Sequence, residues 1–285
     1  MKRNWMAALV AVMTMVVFGA CVSYSHFNSG LRSGDFFYRR TEHGDGVTIT
    51  SYVGRDANVQ IPSYIRRRPV RIIGAGAFSG DFAGELSEIF GEELREELRG
   101  ALGGVPVGRN FGGSWVYRTE LTSVSIPNSV IIIGANAFIR NSITAVALPD
   151  NVIRINSGAF AHNLLTMIAI PGNVFHIGER AFQNNQISDI TIPGNVVQIG
   201  EGAFAHNPLT SITFEHNTGT IHQNMFTGSL GRVTQISIGA NFNLHYDGDY
   251  PDVIWESFRE AYAENGHRAG IYTLTDAGEW NWQPR

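Results

Sequence analysis

The residues able to do chemistry in this chain are few and scattered. Cys21 is the only cysteine, so there is no partner for an internal disulfide and no second thiolate for a metal site. His176, His216, His222, His245 and His267 form no i,i+4 pair or other ligand spacing. Asp247-Gly248-Asp249 offers two carboxylates of a calcium-type turn, without the remaining oxygen ligands that such loops supply. The densest acidic run, at 92–97, falls on the solvent side of a predicted helix, whereas acid–base work needs carboxylates facing one another across a cleft. No catalytic group, cofactor site or metal site is therefore expected, and no cofactor.

The position of Cys21 has its own account. Lys2 and Arg3 precede an apolar run from Met6 to Phe18, and Gly19-Ala20 follow directly before the cysteine, the layout of an export signal. The run is about 13 residues, short beside the roughly 20 that span a bilayer, although counting from Trp5 to Val22 leaves an uncleaved anchor open. Phe18-Gly19-Ala20-Cys21 resembles a bacterial lipobox, with phenylalanine where leucine is usual. The resemblance implies cleavage before Cys21 and acylation of its thiol and new amine; cleavage after Ser23 by an ordinary signal peptidase is the alternative. Several acyl chains hold a protein on a membrane stably, where one gives marginal attachment.

Charge excludes one class of partner. The whole chain carries a formal charge of −4, and loss of residues 1–20 removes two more positive charges, so no nucleic-acid partner is expected. The one basic cluster, Arg66-Arg67-Arg68 with Arg71, reads as an exposed turn rather than a phosphate site. At 44% hydrophobic and 11% aromatic residues, the composition is that of a folded protein.

The elements that must position any site repeat every 22 residues between 121 and 230. Ile126-Pro127 returns as Leu148-Pro149, Ile170-Pro171 and Ile192-Pro193, and a phenylalanine recurs at Phe138, Phe160, Phe182, Phe204 and Phe226. Self-similar units that bury their apolar faces only against neighbours form a stack. Leu121, Val124 and Ile126 with their counterparts predict a short strand facing inward, ended by a proline that has no N–H to donate. Val130 and Ile133 follow, then Gly134, Gly178 and Gly200, with Asn156 in one unit. That exchange predicts a left-handed backbone there, since asparagine tolerates what glycine adopts freely. The phenylalanines should stack as a spine, each costing roughly 3–5 kcal/mol when truncated to alanine. Asn141, Asn163, Asn185 and Asn207 form a further column, read as buried asparagines bonding turn backbone rather than as a ligand ladder. His162 and His206 lie two periods apart, roughly 10 Å at strand spacing, too far to share one metal ion.

These phased strand, proline, glycine and Ala-Phe elements resemble the BspA-type leucine-rich repeat, a bacterial family, over five units, and the carboxyl-terminal segment looks like that of spirochaete-type members. The resemblance implies a leucine-rich-repeat solenoid with short β-strands on one face and irregular or 3-10 segments on the other. The chain is then divided into a signal peptide (1–20), a lipid-anchored linker (21–34), a β-rich N-terminal cap and first repeat (35–80), an insertion (81–118), the repeats (119–230) and a C-terminal cap (231–285). The insertion is expected because Phe78 and Phe138 are 60 residues apart, one period plus 38, which leaves the phase intact. Leu86, Ile89, Phe90, Leu94, Leu98 and Leu102 predict an amphipathic helix in its first half; its second half, 103–117, is rich in glycine and reads as a loop. Trp255, Phe258 and Tyr262 at helical spacing, then a hairpin around Asp276-Ala277-Gly278, predict a closing helix and hairpin.

A solenoid's lateral surface suits a macromolecule. Ser125, Ala147, Ala169, Thr191 and Thr213 are the exposed strand positions, small and neutral, and Ile132, Arg154, His176 and Gln198 form a more varied neighbouring column. The resemblance implies a non-enzymatic cell-surface lipoprotein that binds proteins or other macromolecules in adhesion, a host matrix protein among them, and is attached to the membrane through its lipid anchor. A periplasm-facing envelope scaffold is the alternative.

Overall fold

The computed structural model describes residues 31–80, 107–109, 115–117, 120–215, 219–245 and 253–285. The expected signal peptide, Cys21, the helix expected across 84–102, His216 and the acidic turn at 247–249 lie outside the described residues.

The chain enters through antiparallel strands. β1 (Leu31–Ser33) pairs with β2 (Phe36–Arg40), and β2 with β3 (Val47–Tyr52). β4 (Asn58–Gln60) follows, then a two-residue hairpin joins β5 (Tyr64–Ile65) to β6 (Arg68–Ile73). At its tip Arg66 and Arg67 both have positive φ, 47° and 65°, the pattern of a type I′ turn, whose twist suits a hairpin but whose usual residues are Asn-Gly. β3 already lies parallel to β6, so the segment expected as a cap contributes the first rung of the parallel stack.

Successive turns are joined by parallel pairing along two sides. The first side holds two separate groups, β9 (Ser123–Ser125) paired with β4 and, further along, β13 (Asp189–Ile192), β15 (Ser211–Phe214) and β17 (Gln235–Ile238). The second holds β10 (Ile132–Ile133), β11 (Arg154–Ile155), β12 (His176–Ile177) and β14 (Gln198–Ile199), continuing the parallel order from β3 and β6. Between the ladders the chain bends where Val130, Val152, Val174 and Val196 donate their N–H groups to the carbonyls of Pro127, Pro149, Pro171 and Pro193, at 3.0–3.1 Å.

Three sequence expectations are corrected. The inward strand was expected in every unit, yet 143–148 and 165–170 carry no ladder strand. Their outward positions are Ala145, Ala147, Met167 and Ala169, poor strand formers beside Thr191 and Thr213, which sit in ladders. Gly134, Gly178 and Gly200 do not have positive φ, nor does Asn156. Glycine is needed at the first of these because a Cβ on Gly134 would stand 2.6 Å from the carbonyl carbon of Gly74. The left-handed residues are instead Asn136, Gly158, Arg180 and Gly202, then Arg140, His162, Asn184 and His206. Finally, the stretch read as a loop at 103–117 contains an antiparallel pair, β7 (Val107–Arg109) and β8 (Trp115–Tyr117), where β-branched and aromatic residues flank a glycine-bearing connection.

The core is a stack of rings. Phe138, Phe160, Phe182, Phe204 and Phe226 are fully buried, with successive centroids 5.1, 5.6, 5.5 and 6.0 Å apart. Phe78 joins Phe138 at 5.1 Å and Tyr52 joins Phe78 at 5.5 Å, so the 60-residue gap in sequence is one step in space. Beside the spine runs the asparagine column. Asn163 accepts the N–H of Ile143 at 3.1 Å and donates to the carbonyls of Phe138 and Phe160 at 2.9 and 3.1 Å, and Asn141, Asn185 and Asn207 repeat the scheme. Ser229 ends it, its hydroxyl donating to the Phe204 carbonyl and accepting from the Asn207 N–H, both at 2.8 Å.

At the other end β16 (Gly219–His222) lies parallel to β18 (Phe242–His245). Helix α1 (Val253–Glu264) buries Trp255, Phe258 and Tyr262. β19 (Gly270–Leu274) pairs antiparallel with β17 and with β20 (Trp280–Gln283), so the last parallel rung presents no bare edge.

Candidate interaction surface

The two columns singled out in sequence lie either side of the proline bends. Ser125, Ala147, Ala169 and Thr191 are exposed and Thr213 is half-buried, but only parts of this column are tied together. Thr191 and Thr213 are paired in register on β13 and β15, whereas Ala147 and Ala169 fall in the two stretches outside the ladder. Beside them Met167 is 70% exposed. Asp189 carries a negative charge on this face; hydroxyls of Ser188 and Ser211, then of Thr210, hydrogen-bond to its carboxyl and hold it below the ordinary carboxylate range, against the opposing effect of burial.

The second column is continuous. Ile132, Arg154, His176 and Gln198 stand opposite one another in β10, β11, β12 and β14, which fixes their spacing at the strand separation of about 4.8 Å. His176 Nδ1 and Gln198 Oε1 are 3.0 Å apart.

A third column was missed in sequence. Ile131, Ile153, Phe175 and Val197 precede the second column by one residue and run beside it, the N–H of each later member donating to the carbonyl of the member before at 2.9–3.1 Å. Phe175 is 36% exposed and Val197 81%, and the Arg154 guanidinium lies 5.5 Å from the centre of the Phe175 ring. The signal was the 22-residue apolar recurrence itself. It is hard to see because a bend of two outward residues between the buried Val130 and Ile133 has no strand or helix period. Together the columns make a mixed apolar and polar surface held on hydrogen-bonded rungs.

The histidines are explained by the backbone. His162 and His206 have φ of 56° and 55° and share a left-handed position with Arg140 and Asn184; histidine and asparagine are enriched in that region. Among the described residues no three His, Cys, Asp or Glu side chains gather as a metal ion would require. No described helix is long and apolar enough to cross a membrane.

Short parallel rungs stacked at a 22-residue period around a phenylalanine spine and an asparagine ladder define a leucine-rich-repeat solenoid. Residues 110–231 match the BspA type leucine rich repeat region in 6 copies, and the repeat region of this chain belongs to that family. The leucine rich repeat protein of T. pallidum has the same fold, with a TM-score of 0.55 at 24% identity over 81% of this chain and 95% of its own. A leucine-rich repeat protein from Bacteroides ovatus matches at 21% identity over 75% of this chain and 53% of its own, with a TM-score of 0.49. A leucine rich cell surface protein from Faecalibacterium prausnitzii matches at 18% identity over 88% and 60%, with a TM-score of 0.37. No curated protein matches the chain.

Proposed function

We propose that this chain is a lipid-anchored solenoid displayed on the bacterial surface, which binds a protein or other macromolecule along its lateral columns. The observation that carries the binding role is the apolar column that runs from the half-buried Ile131 and Ile153 to the exposed Phe175 and Val197, set in register beside Arg154, His176 and Gln198. Apolar side chains held in a row at the surface, rimmed by polar ones, mark contact sites, and a ring carrying a guanidinium is the kind of anchor that dominates such contacts. The adhesive ligand, a host matrix protein among the candidates, rests on the family resemblance, and the anchor on Cys21 rests on the sequence before it.

The test is protease shaving of intact cells, comparing the native chain with Cys21→Ser. Loss of the native chain from intact cells, with release of the variant into the medium, is the expected result. Protection until the envelope is breached would sink surface display and leave a periplasm-facing scaffold. Phe175→Ser with Val197→Ser then checks the face itself: ligand capture should fall while thermal stability stays near that of the parent.

A further inference from the structure

The end of the solenoid where the described chain begins is strongly basic, although the protein as a whole is acidic. Residues 31–80 carry eight arginines against four acidic residues, whereas 120–215 carry three arginines against six acidic residues. Six of those eight arginines belong to one corner. Arg39 and Arg40 end β2, Arg66 and Arg67 form the tip of the β5–β6 hairpin, and Arg68 and Arg71 lie on β6.

The corner is built, not incidental to composition. Arg68 Nη1 donates to the Gly44 carbonyl at 2.6 Å, tying the hairpin to the loop between β2 and β3. A Cβ on Gly46 would stand 2.7 Å from the Pro69 carbonyl oxygen, so that loop is seated against β6. Arg40 is opposite Val47, and Val47 opposite Val70, which places the end of β2 roughly 10 Å from β6. The local acids are Glu42 and Asp45; Asp45 accepts the Thr41 hydroxyl at 2.6 Å and lies in the field of Arg71, which leaves the six arginines in excess over the two carboxylates. Arg66 and Arg67 are exposed and keep left-handed backbones, where Asn-Gly would be relaxed. Tyr64, on the same hairpin, is 63% exposed, an amphipathic ring beside the charges.

We infer that this corner lies on the anionic headgroups of the membrane that carries the protein, so that the solenoid stands off the surface from its basic end. This rests on the anchor reading given above. Cys21 precedes Leu31 by ten residues, a reach of at most about 35 Å, so acyl chains on Cys21 hold the corner within that distance of phosphate groups. Arginine's fork suits phosphate better than a lysine does, and every cation after residue 2 is an arginine. A lipid chain and a basic patch together give the second attachment that one signal lacks.

The test uses the full chain with Cys21→Ser, which bears no acyl group, and vesicles of equal parts phosphatidylglycerol and phosphatidylethanolamine compared with phosphatidylcholine alone. The apolar stretch before residue 21 contributes alike to both, so the difference between them reads the charge. Arg66→Asn with Arg67→Gly removes two charges while suiting the turn, and should weaken partition to the anionic vesicles by about 30-fold. Arg180→Gln with Arg232→Gln, the same charge loss far along the stack, should change it by less than about three-fold. Equal partition to both vesicle types, or equal losses in the two variants, overturns the inference. Capture of soluble heparin without vesicle preference overturns it in favour of an anionic polysaccharide. Palmitate labelling of the native chain judges the anchor separately: absence of label with charge-dependent partition intact removes the anchor and not the corner.

Discussion

At the scale of single residues, the asparagine ladder does work that strands do elsewhere. Asn163 serves backbone groups of two successive turns where no rung reaches them. In Asn163→Ala those buried groups lose their partner, and each costs about 1–3 kcal/mol when left unsatisfied. Urea unfolding should therefore show a loss of about 3 kcal/mol; a loss below about 1 kcal/mol would mean that water or a shifted turn replaces the amide. The sequence supports this reading because a buried, periodic asparagine beside a turn has few other uses. The glycines were harder. A column of glycine with one asparagine fits both a left-handed backbone and a close approach, and sequence has no means to tell a missing Cβ from a positive φ. The structure separates them, and so does a pair of substitutions. Gly178→Ala sets a Cβ 2.6 Å from the Asn156 carbonyl carbon and should cost about 3 kcal/mol. Gly202→Ala, with φ of +63° and its Cβ 3.3 Å from the Arg180 stem, should cost about 1 kcal/mol. Thermal melts that reverse this order would refute the assignment.

At the scale of elements, legibility followed periodicity. Trp255, Phe258 and Tyr262 announced α1 by helical spacing, and Asp276-Ala277-Gly278 the turn of the last hairpin. The two-residue rungs β10, β11, β12 and β14 could not be read, because two residues show no alternation and only the neighbours in space make them a sheet. The packing of α1 makes a prediction in pH. The Tyr262 hydroxyl donates to the Gly239 carbonyl at 2.8 Å and accepts the Phe242 N–H at 3.1 Å. Burial, the largest influence, raises its pKa above the ordinary phenol value, and burial likewise raises that of Tyr272. A group whose folded pKa is raised contributes fully below the unfolded value, near 10. That contribution is lost as pH climbs from there toward the folded value, because the unfolded chain gives up its proton first. Urea midpoints should thus fall above about pH 10. Tyr262→Phe should lower stability at neutral pH by about 1–2 kcal/mol and make the alkaline fall shallower. An unchanged alkaline slope would show that Tyr262 has no part in it.

At the scale of the whole molecule, the phase of the array matters more than its length. Phe78 and Phe138 stack at 5.1 Å across 60 residues of sequence, so the spine is indifferent to what leaves the stack as long as the chain returns in register. The converse follows from one-dimensional stacking, in which each unit touches only its neighbours. Deletion of residues 165–186, one whole 22-residue unit, would bring Phe204 onto Phe160 and let the Asn207 side chain donate to the Phe160 carbonyl as Asn185 does now at 2.9 Å. The shortened chain should fold, keep its circular dichroism per residue and lose only the stabilisation of one interface. Deletion of residues 165–175, half that length, places Phe182 out of line with Phe160 and sets His176 and Glu179 where Leu165 and Ile168 are buried, and should not fold cooperatively. The two deletions are judged by urea unfolding side by side. Equal damage from both would mean that the stack is held by contacts specific to its middle turns, and that the repeat in sequence is not the unit of stability.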